Sequence, residues 1–406
     1  MQGNLGNSVA DAAGYTSCLV KVSAISMTPA PIYLDNNATT PVHPEVVEVV
    51  ARCLRDAFAN PGSRHVAGRR ARVVLEDSRE TIARILGADP GEVIFTSGGT
   101  ESINQALFGL TSGPPGVIVL TAGEHPATIE TGRVLLQRGF RFHTLPVDSQ
   151  GRLQPASFVD IPWPAVRLVT VILAHNETGV IQDVSPLAEL CRQHRVPLHL
   201  DAVQAVGKIP VHFGQLGATA LSLGAHKFQG PRGIGALLVR RGVKLTPWMF
   251  GGHQEQDRRP GTEAVPLIAG MARALEIWDA EQTERTARMT HLRDALEAGL
   301  QRLCPPVVVN GAGATRLPNT LNISFLGCDG EALLVALDLL QVCCSLGSTC
   351  ASGAAEPAPS LVAMGCPPEV YRSAVRFSVG PETTAAEINE ALQRIERVVS
   401  QARAGS

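Results

Sequence analysis

The stretch AHKFQGPRGIGAL, residues 225–237, decides the fold, because it joins two short apolar runs at 220–223 and 234–239. Similar runs occur earlier in the chain, at 92–96, 117–121, 168–173 and 198–200. Most of them are near-continuously apolar, which is typical of strands that helices cover on both faces. Helix-length segments separate the runs, so the sequence predicts βαβ units and a largely parallel sheet.

Polar residues follow the predicted strands at the edge where parallel sheets bind their ligands. Lys227 follows one strand and, taken alone, would be interpreted as a solvated lysine. Asp201 ends another strand, where it is either an ordinary helix N-cap or an anion that holds a cationic ring nitrogen. Gln204 lies one helical turn further on and could face the same ligand.

A third polar segment, SGGTE at 97–101, follows a strand and precedes a helical stretch. Gly99 lets the backbone approach an anion and Thr100 adds a hydroxyl, although a plain glycine-rich turn explains the pattern equally well. Lys227, Asp201 and this cradle together match an aldehyde cofactor that carries a phosphate and a pyridine nitrogen. A Schiff base is then the better interpretation of Lys227.

Three more residues have side chains suited to catalysis or binding. His125, in the segment EHPA, could stack on a flat ring or move protons, although an isolated histidine is more often structural. Cys350 lies among small and polar residues, as an accessible nucleophilic thiol requires. Arg376 stands amid apolar residues and needs an anionic partner, either a substrate carboxylate or an internal salt bridge. No CxxC pair occurs, so we expect no metal site.

The composition limits the classes of protein that fit. The chain has 406 residues, 45% of them hydrophobic and 18% charged, which is a globular composition. Its 35 Lys and Arg balance 37 Asp and Glu, so we expect no nucleic acid and no membrane as a partner. Nine cysteines without a recognisable signal peptide indicate reduced thiols and a cytoplasmic location.

Nine segments together resemble the cysteine desulfurases of the NifS/IscS-like branch, in the class V aminotransferase group of pyridoxal 5'-phosphate (PLP) enzymes. They occur in the family's order and span roughly residues 31–400. The segments are LDNNATTP (34–41), SGGTES (97–102), EHPA (124–127), HNETG (175–179), DAVQAVGKIPV (201–211), AHKFQGPRGIGAL (225–237), GGHQEQDRRPGTE (251–263), GSTCASG (347–353) and VRFSVG (375–380).

The resemblance implies the PLP-dependent transferase fold type I, an α/β fold with a mostly parallel seven-stranded sheet in a large domain and a smaller α/β C-terminal domain. It also implies a homodimer with the active site at the subunit interface. Along the chain we expect a disordered extension at 1–28 and a segment at 29–45 that packs with the small domain. The large PLP-binding domain would follow at 46–264, and the small domain with the Cys350 loop at 265–406.

The same resemblance implies roles for individual residues. Lys227 would form the Schiff base with PLP, Asp201 would pair with the pyridine nitrogen, and His125 would stack on the ring and transfer protons. Gln204 and Asn176 would reach the ring hydroxyl. The cofactor's phosphate would lie against Gly99, Thr100, His226 and, from the other subunit, Thr262. Substrate binding would fall to Asn37, Asn176 and Arg376, and Cys350 would attack the substrate sulfur.

The implied activity is the removal of sulfur from L-cysteine, which gives L-alanine and a persulfide on Cys350. A sulfur-acceptor protein or iron–sulfur scaffold would then receive the sulfur. Two alternatives stay open: a selenocysteine lyase or another class V PLP enzyme, and a non-catalytic sulfur carrier or scaffold. The chain departs from the family pattern at Gly224, where a phosphate-binding serine is usual, and we expect water or Ser222 to replace that bond. Asp257 takes the place of a common glycine.

Overall fold

The computed structural model describes residues 30–346 and 358–405, so the predicted extension at 1–28 and Cys350 lie outside the described residues. The strands are β1 (Ile32–Tyr33), β2 (Val93–Thr96), β3 (Val117–Thr121), β4 (Arg141–Leu145), β5 (Val166–Ile172), β6 (Leu198–Asp201), β7 (Ala220–Gly224), β8 (Gly235–Val239), β9 (Val307–Val309), β10 (Thr320–Phe325), β11 (Val342–Cys343) and β12 (Ala374–Ser378). The helices are α1 (Pro44–Asp56), α2 (Val66–Leu86), α3 (Gly99–Leu110), α4 (Pro126–Gln137), α5 (Ser185–His194), α6 (Gln254–Asp257), α7 (Val265–Leu303), α8 (Gly330–Leu339), α9 (Pro359–Ala363), α10 (Pro368–Tyr371) and α11 (Ala385–Ala404).

Seven strands form the central sheet in the order β2-β8-β7-β6-β5-β3-β4. Strand β8 runs antiparallel to both of its neighbours, and the other pairs are parallel. The central strands β5 to β7 are buried along almost their whole length, as their near-continuous apolar sequences predicted. The prediction of an α/β fold with a mostly parallel seven-stranded sheet is confirmed.

The six parallel strands place their carboxyl ends at one edge of the sheet. Strand β6 ends at Asp201, and β7 leads directly into the short 3-10 turn Ala225–Lys227. Strand β3 is followed by His125, and β2 leads to the start of α3 at Gly99. Residues more than a hundred positions apart in sequence therefore meet above one edge.

A second set of strands lies further along the chain. Strands β12, β10 and β9 form an antiparallel sheet in that order, and β1 pairs in parallel with β11. Ile32 and Leu34 are buried in the same apolar core as α11 and β12. The beginning of the described chain thus packs with its last third, and Asp35 bridges to Ser378.

Helix α7 is one continuous helix of 39 residues. Its first half, including Ile268 and Leu275, packs into the core around the seven-stranded sheet. Its second half, including Leu292 and Leu300, packs into the core of the second set of strands. The core changes within the helix, so the division at residue 265 stays a prediction that rests on the sequence pattern.

A search of residues 30–346 and 358–405 finds no helix with the length and apolar character that crossing a membrane requires.

Candidate active site

A cavity of about 460 Å³ opens at the carboxyl edge of the central sheet. Ten of the twelve predicted site residues line it: Asn37, Gly99, Thr100, His125, Asn176, Asp201, Gln204, His226, Lys227 and Arg376. Thr262 is exposed and does not line the cavity of its own chain, and Cys350 lies outside the described residues. The cavity therefore gathers side chains from most of the strand ends and from β12.

Asp201 is 3% exposed at the end of β6. One carboxylate oxygen accepts a hydrogen bond from Val203 N at 3.0 Å, which is the contact of an Asx turn, and turns instead of a helix follow Asp201. Burial raises the pKa of Asp201 to about 6, against weaker opposing effects of that hydrogen bond, Lys227 and His175. A cationic group in the cavity would relieve this cost, which favours an anion for a cationic ring nitrogen over a helix N-cap as the interpretation of Asp201.

Lys227 lies in the turn after β7, and its amine points toward the backbone of residues 37 and 38. Its Nζ donates to the carbonyl oxygens of Asn37 at 2.7 Å and Ala38 at 2.8 Å. Burial lowers the pKa of Lys227 to about 8, assisted by the nearby charge of Arg376 and opposed by Asp201 and Asp35. A lysine with a lowered pKa supplies more free amine near neutral pH, as nucleophilic attack on an aldehyde requires.

His125 caps the start of α4, with Nδ1 accepting a hydrogen bond from Ala127 N at 3.1 Å. Burial lowers the pKa of His125 to about 4, and the charges of Lys227 and His175 lower it further. The ring is therefore neutral at pH 7, and because Nδ1 accepts, its proton sits on Nε2. His125 therefore caps a helix and also lines the cavity, and its role in proton transfer stays a prediction.

Helix α3 forms an anion cradle at its N-terminus. It begins at Gly99, and its N-cap, Gly98, provides no side-chain hydrogen bond to the first-turn amides. Gly224 adjoins this cradle: a Cβ atom at that position would stand 3.3 Å from Gly99 N. A side chain at position 224 would thus start next to the amide of Gly99.

Ser222 does not replace the missing serine, contrary to the sequence-based expectation. It is fully buried, and its hydroxyl lies 2.8 Å from His199 Nε2. The other ring nitrogen of His199 lies 2.8 Å from Thr170 Oγ1, so the three side chains form a buried chain across β5, β6 and β7. Ser222 lies two residues before Gly224, so both positions share one face of β7, but Ser222 is further from the carboxyl end of the strand and does not line the cavity.

Arg376 on β12 is held on two sides of its guanidinium. Nη2 pairs with Asp35 Oδ1 at 2.7 Å, and Nη1 donates to Asn176 O at 3.1 Å. Nε is buried and has no hydrogen-bond partner within the described ranges. The internal salt bridge considered from the sequence is present, and a donor of Arg376 still lacks the acceptor that burial calls for.

Asn37 differs from its predicted role as a substrate-binding residue. Its Oδ1 accepts from Lys208 Nζ at 2.7 Å and Asn319 Nδ2 at 3.0 Å. Its Nδ2 donates to Thr320 Oγ1 at 2.9 Å and Asn176 O at 3.1 Å. Protein groups use the whole amide, so Asn37 builds the cavity wall and has no free group for a substrate. The side-chain amide of Asn176 has no such partners in the part of the chain that the structure describes.

Two acidic residues beside the cavity were not identified from the sequence. Asp35 lies in the quoted segment LDNNATTP and holds Arg376. Glu124, next to His125 in sequence, accepts hydrogen bonds from Ile172 N at 2.8 Å and from the Thr121 hydroxyl. Its Oε2 is buried without a partner among the described residues, and burial raises the pKa of Glu124 to about 8, with Asp201 adding to the shift. Only their position in a quoted motif could have indicated them.

The loop that carries Thr262 is fixed firmly to the large sheet. Glu255 is buried and pairs with Arg79 through both carboxylate oxygens, at 2.7 and 2.8 Å. Glu255, Gln256 and Asp257 all have positive φ, with Asp257 at 64°. A glycine would adopt that backbone conformation without strain, which is a physical reason for the glycine that is usual in place of Asp257.

The residues present fit a group that combines an aldehyde, a protonated ring nitrogen and a phosphate. Lys227 offers the amine, and Asp201 offers a carboxylate that burial makes costly without a cation. The uncapped first turn of α3 suits the anion. These three features lie around one cavity.

Comparison with known proteins agrees with this arrangement. The family model described as aminotransferase class-V matches residues 32–391. A protein named cysteine desulfurase IscS from Dictyoglomus turgidum is 39% identical over 377 residues, which cover 92% of this chain and 95% of that protein. A solved NifS-like protein superposes with a TM-score of 0.86 at 34% identity, covering 91% of this chain and all of the other.

A structure described as SspA in complex with cysteine matches with a TM-score of 0.76 at 29% identity, over 87% of this chain and 99% of the other. The alignments extend across nearly the whole chain and are not confined to the sheet. The chain therefore belongs to the class V aminotransferase family, among its cysteine desulfurases of the NifS/IscS type.

Proposed function

We propose that the protein is a PLP-dependent cysteine desulfurase that converts L-cysteine to L-alanine and leaves the sulfur as a persulfide on Cys350. The observation that carries this proposal is one cavity that brings together the amine of Lys227, the carboxylate of Asp201 and the anion cradle of α3. The overall reaction is balanced: cysteine and the Cys350 thiol become alanine and Cys350–S–SH, so no external oxidant or reductant is needed. A sulfur-acceptor protein or iron–sulfur scaffold would then take the terminal sulfur.

The cofactor would be held by residues of three elements. Lys227 would hold its aldehyde carbon, Asp201 its ring nitrogen, and the first turn of α3 its phosphate, together with His226. When bound, PLP supplies a sink for the electrons released at the substrate α-carbon. The raised pKa of Asp201, due to its burial, means that pairing with a protonated ring nitrogen is what makes its charged form favourable.

Arg376 and Asn176 would bind the amino acid. The unpartnered Nε of Arg376 is a charge-assisted donor suited to a substrate carboxylate, while Asp35 and Asn176 O keep the guanidinium in place. The side-chain amide of Asn176 lies beside it at the cavity wall. Together they would orient the α-carbon toward Lys227.

Lys227 and His125 would move protons. The pKa of Lys227, lowered by burial to about 8, allows its amine to accept the α-proton near neutral pH and to return it. His125 carries its proton on Nε2, and its pKa near 4 keeps the ring neutral against the cofactor. Cys350 would take the sulfur, a role that rests on the family resemblance.

A homodimer is part of the proposal. Thr262 is exposed on a loop that Glu255 anchors, so a second copy could present it to this cavity. Large exposed apolar side chains support such an interface, and five of them lie in the first part of the chain: Val47, Leu54, Phe58, Val66 and Val73. Burial of these side chains against a second copy would remove them from water.

The direct test is to incubate the PLP-loaded protein with L-cysteine and a thiol reductant and to quantify alanine and sulfide. Equal amounts of both over many turnovers are expected. Cys350→Ala should keep the cofactor's colour and lose sulfide release, whereas the matched control Cys366→Ala should retain the parent rate. Alanine formation from selenocysteine but not from cysteine would indicate a selenocysteine lyase, and a protein that cannot bind PLP would indicate a sulfur carrier.

A further inference from the structure

Lys208 is a buried lysine just behind the cavity, in the segment DAVQAVGKIPV. It is 3% exposed, and its Nζ donates to Asn37 Oδ1 at 2.7 Å and to Gln204 Oε1. No carboxylate lies within salt-bridge distance of it in residues 30–346 and 358–405. Both acceptors line the cavity, whereas Lys208 does not. It can therefore act on a ligand only through Asn37 and Gln204.

The contact with Lys208 fixes which way round the amide of Gln204 stands. Because Oε1 accepts from Nζ, the opposite side of the amide carries the two protons of Nε2. One proton goes to Asn37 O at 2.9 Å, and that same carbonyl accepts from Lys227 Nζ at 2.7 Å. Gln204 thus presents its second N–H donor to the cavity close to the amine of Lys227.

PLP held by Lys227 would bring an acceptor to this place. Its ring oxygen is bonded to the carbon next to the one that carries the aldehyde, so it must lie near whichever amine holds the aldehyde. With Lys227 as that amine, Gln204 Nε2 is the neighbouring donor in the wall. A flipped amide would instead set Oε1 against the ring oxygen, and two acceptors would repel each other.

We propose that Lys208 is a positioning residue for the cofactor, which acts by locking the Gln204 amide so that a donor faces the ring oxygen. This inference rests on the proposed binding of PLP, but it does not depend on which amino acid is the substrate. A neutral lysine amine has two N–H donors for two acceptors, so the lock needs no charge. Burial lowers the pKa of Lys208 well below its ordinary value, and the charges of Lys227 and Arg376 lower it further.

The test follows the cofactor's visible absorption as a function of pH, in protein reconstituted with PLP. Lys208→Met keeps an unbranched side chain that is one atom shorter and removes both donors. Loss of a donor at the ring oxygen makes its anionic form less favourable. We expect the pH midpoint of the absorption change to rise by about one unit, equivalent to a tenfold change in the proton equilibrium.

Two further variants separate positioning from a general effect on packing. Gln204→Leu should raise the midpoint by a similar amount, and adding Lys208→Met to it should cause no further rise. Asn319→Leu removes the other donor to Asn37 Oδ1 without touching Gln204, so its midpoint should stay at the wild-type value. Additive shifts, or an equal shift in Asn319→Leu, would overturn the proposal.

The outcome is decided even if Lys208→Met fails to fold. In that case Gln204→Leu decides: an unchanged midpoint in that variant overturns the proposal, because no donor then faces the ring oxygen, and a raised midpoint supports it. Measuring PLP binding and sulfide release by the wild-type protein shows whether a failure concerns this inference or the proposed function. A wild-type protein that binds PLP but releases no sulfide contradicts the desulfurase activity and leaves the midpoints to decide the role of Lys208.

Discussion

Two buried polar clusters border the same cavity and differ in how completely their hydrogen bonds are satisfied. The Asn37 cluster consists of Asn37, Lys208, Gln204, Asn319 and Thr320, and within it protein partners use both amide atoms of Asn37. The Asp201 cluster consists of Asp201 and Glu124. Burial raises the pKa of both of these carboxyl groups, and Glu124 Oε2 has no partner among the described residues.

This difference distinguishes the residues that form the framework of the cavity from the residues that would bind a ligand. A saturated buried network stabilises the fold, because the loss of one member leaves the others without partners. An unsatisfied buried acid costs stability unless a ligand supplies the missing partner. Substitutions in the two clusters should therefore change the free energy of unfolding in opposite directions.

Asn37→Ala should lower the free energy of unfolding by about 3–5 kcal/mol, since it leaves the amine of Lys208 and the amide of Asn319 buried with fewer partners. The measurement is urea unfolding of the cofactor-free protein. Asn104→Ala is a matched control at an exposed asparagine with one hydrogen bond, to Thr100 O, and should stay within about 0.5 kcal/mol of wild type. Equal losses in the two variants would contradict the distinction between the clusters.

Asp201→Asn should stabilise the cofactor-free protein at pH 8 by about 3 kcal/mol and have little effect at pH 4. Its folded pKa of about 6 lies above the ordinary value of 3.8, so the stability contributed by the neutral carboxyl is complete below pH 4. That stability is lost as the pH rises to 6, and asparagine has no such loss.

Thermal unfolding of the cofactor-free protein between pH 4 and pH 8 measures this effect. The wild-type midpoint should fall across the window from pH 4 to pH 6 more steeply than that of Asp201→Asn. Asp160→Asn, at an exposed position, should reproduce the wild-type curve. Parallel curves for wild type and Asp201→Asn would show that Asp201 is satisfied without a ligand.

Arg376 combines both kinds of environment, with Nη2 satisfied by Asp35 and Nε unsatisfied. Arg376→Gln should raise KM for L-cysteine about tenfold to a hundredfold, because a charge-assisted hydrogen bond contributes about 1.5–3 kcal/mol. Asp35→Asn leaves the unpartnered Nε in place and should raise KM less. Steady-state kinetics on PLP-loaded protein measures both, and a larger effect in Asp35→Asn would place the substrate elsewhere.

Gly224→Ser should tighten PLP binding about twofold to tenfold, by adding one hydrogen bond of about 0.5–1.5 kcal/mol at the anion cradle. The new Cβ would stand 3.3 Å from Gly99 N, a tight contact that requires a small shift of the neighbouring backbone, and the hydroxyl would then lie beside the anion cradle. Gly224→Ala places the same Cβ without the hydroxyl. Titration of cofactor-free protein with PLP compares them, and equal tightening by alanine would attribute the gain to the backbone.

The sequence predicted the fold class because its strands are apolar almost throughout, and such runs occur where helices cover both faces. It did not show that β8 runs against its neighbours, since an apolar run carries no direction. The motifs indicated ten residues that line the cavity. They could not show that Asn37 is saturated or that Glu124 Oε2 is unpartnered, because both properties depend on contacts between residues distant in sequence.

Ser222 illustrates the same limit at a single position. Its sequence neighbourhood suggested that it could reach the phosphate, two residues before the usual serine. In the sheet its hydroxyl belongs to the chain formed with His199 and Thr170. Ser222 and Gly224 share a face of β7, and the motif does not show how far along that face the cavity reaches, because this depends on how β7 is placed against β6.

The contact of residue 36 with β12 has a consequence for when the cavity can form during synthesis of the chain. Asn36 Nδ2 donates to Ser378 O at 2.9 Å across 342 residues, and Asn37 reaches Thr320 across 283 residues. During translation, residues 36 and 37, which form the N-terminal wall of the cavity, therefore emerge from the ribosome long before β12, the strand that fixes them. A nascent chain that stops short of Ser378 has the lysine and the aspartate but lacks the strand that fixes the N-terminal wall, so the cavity can be completed only after β12 has been synthesised.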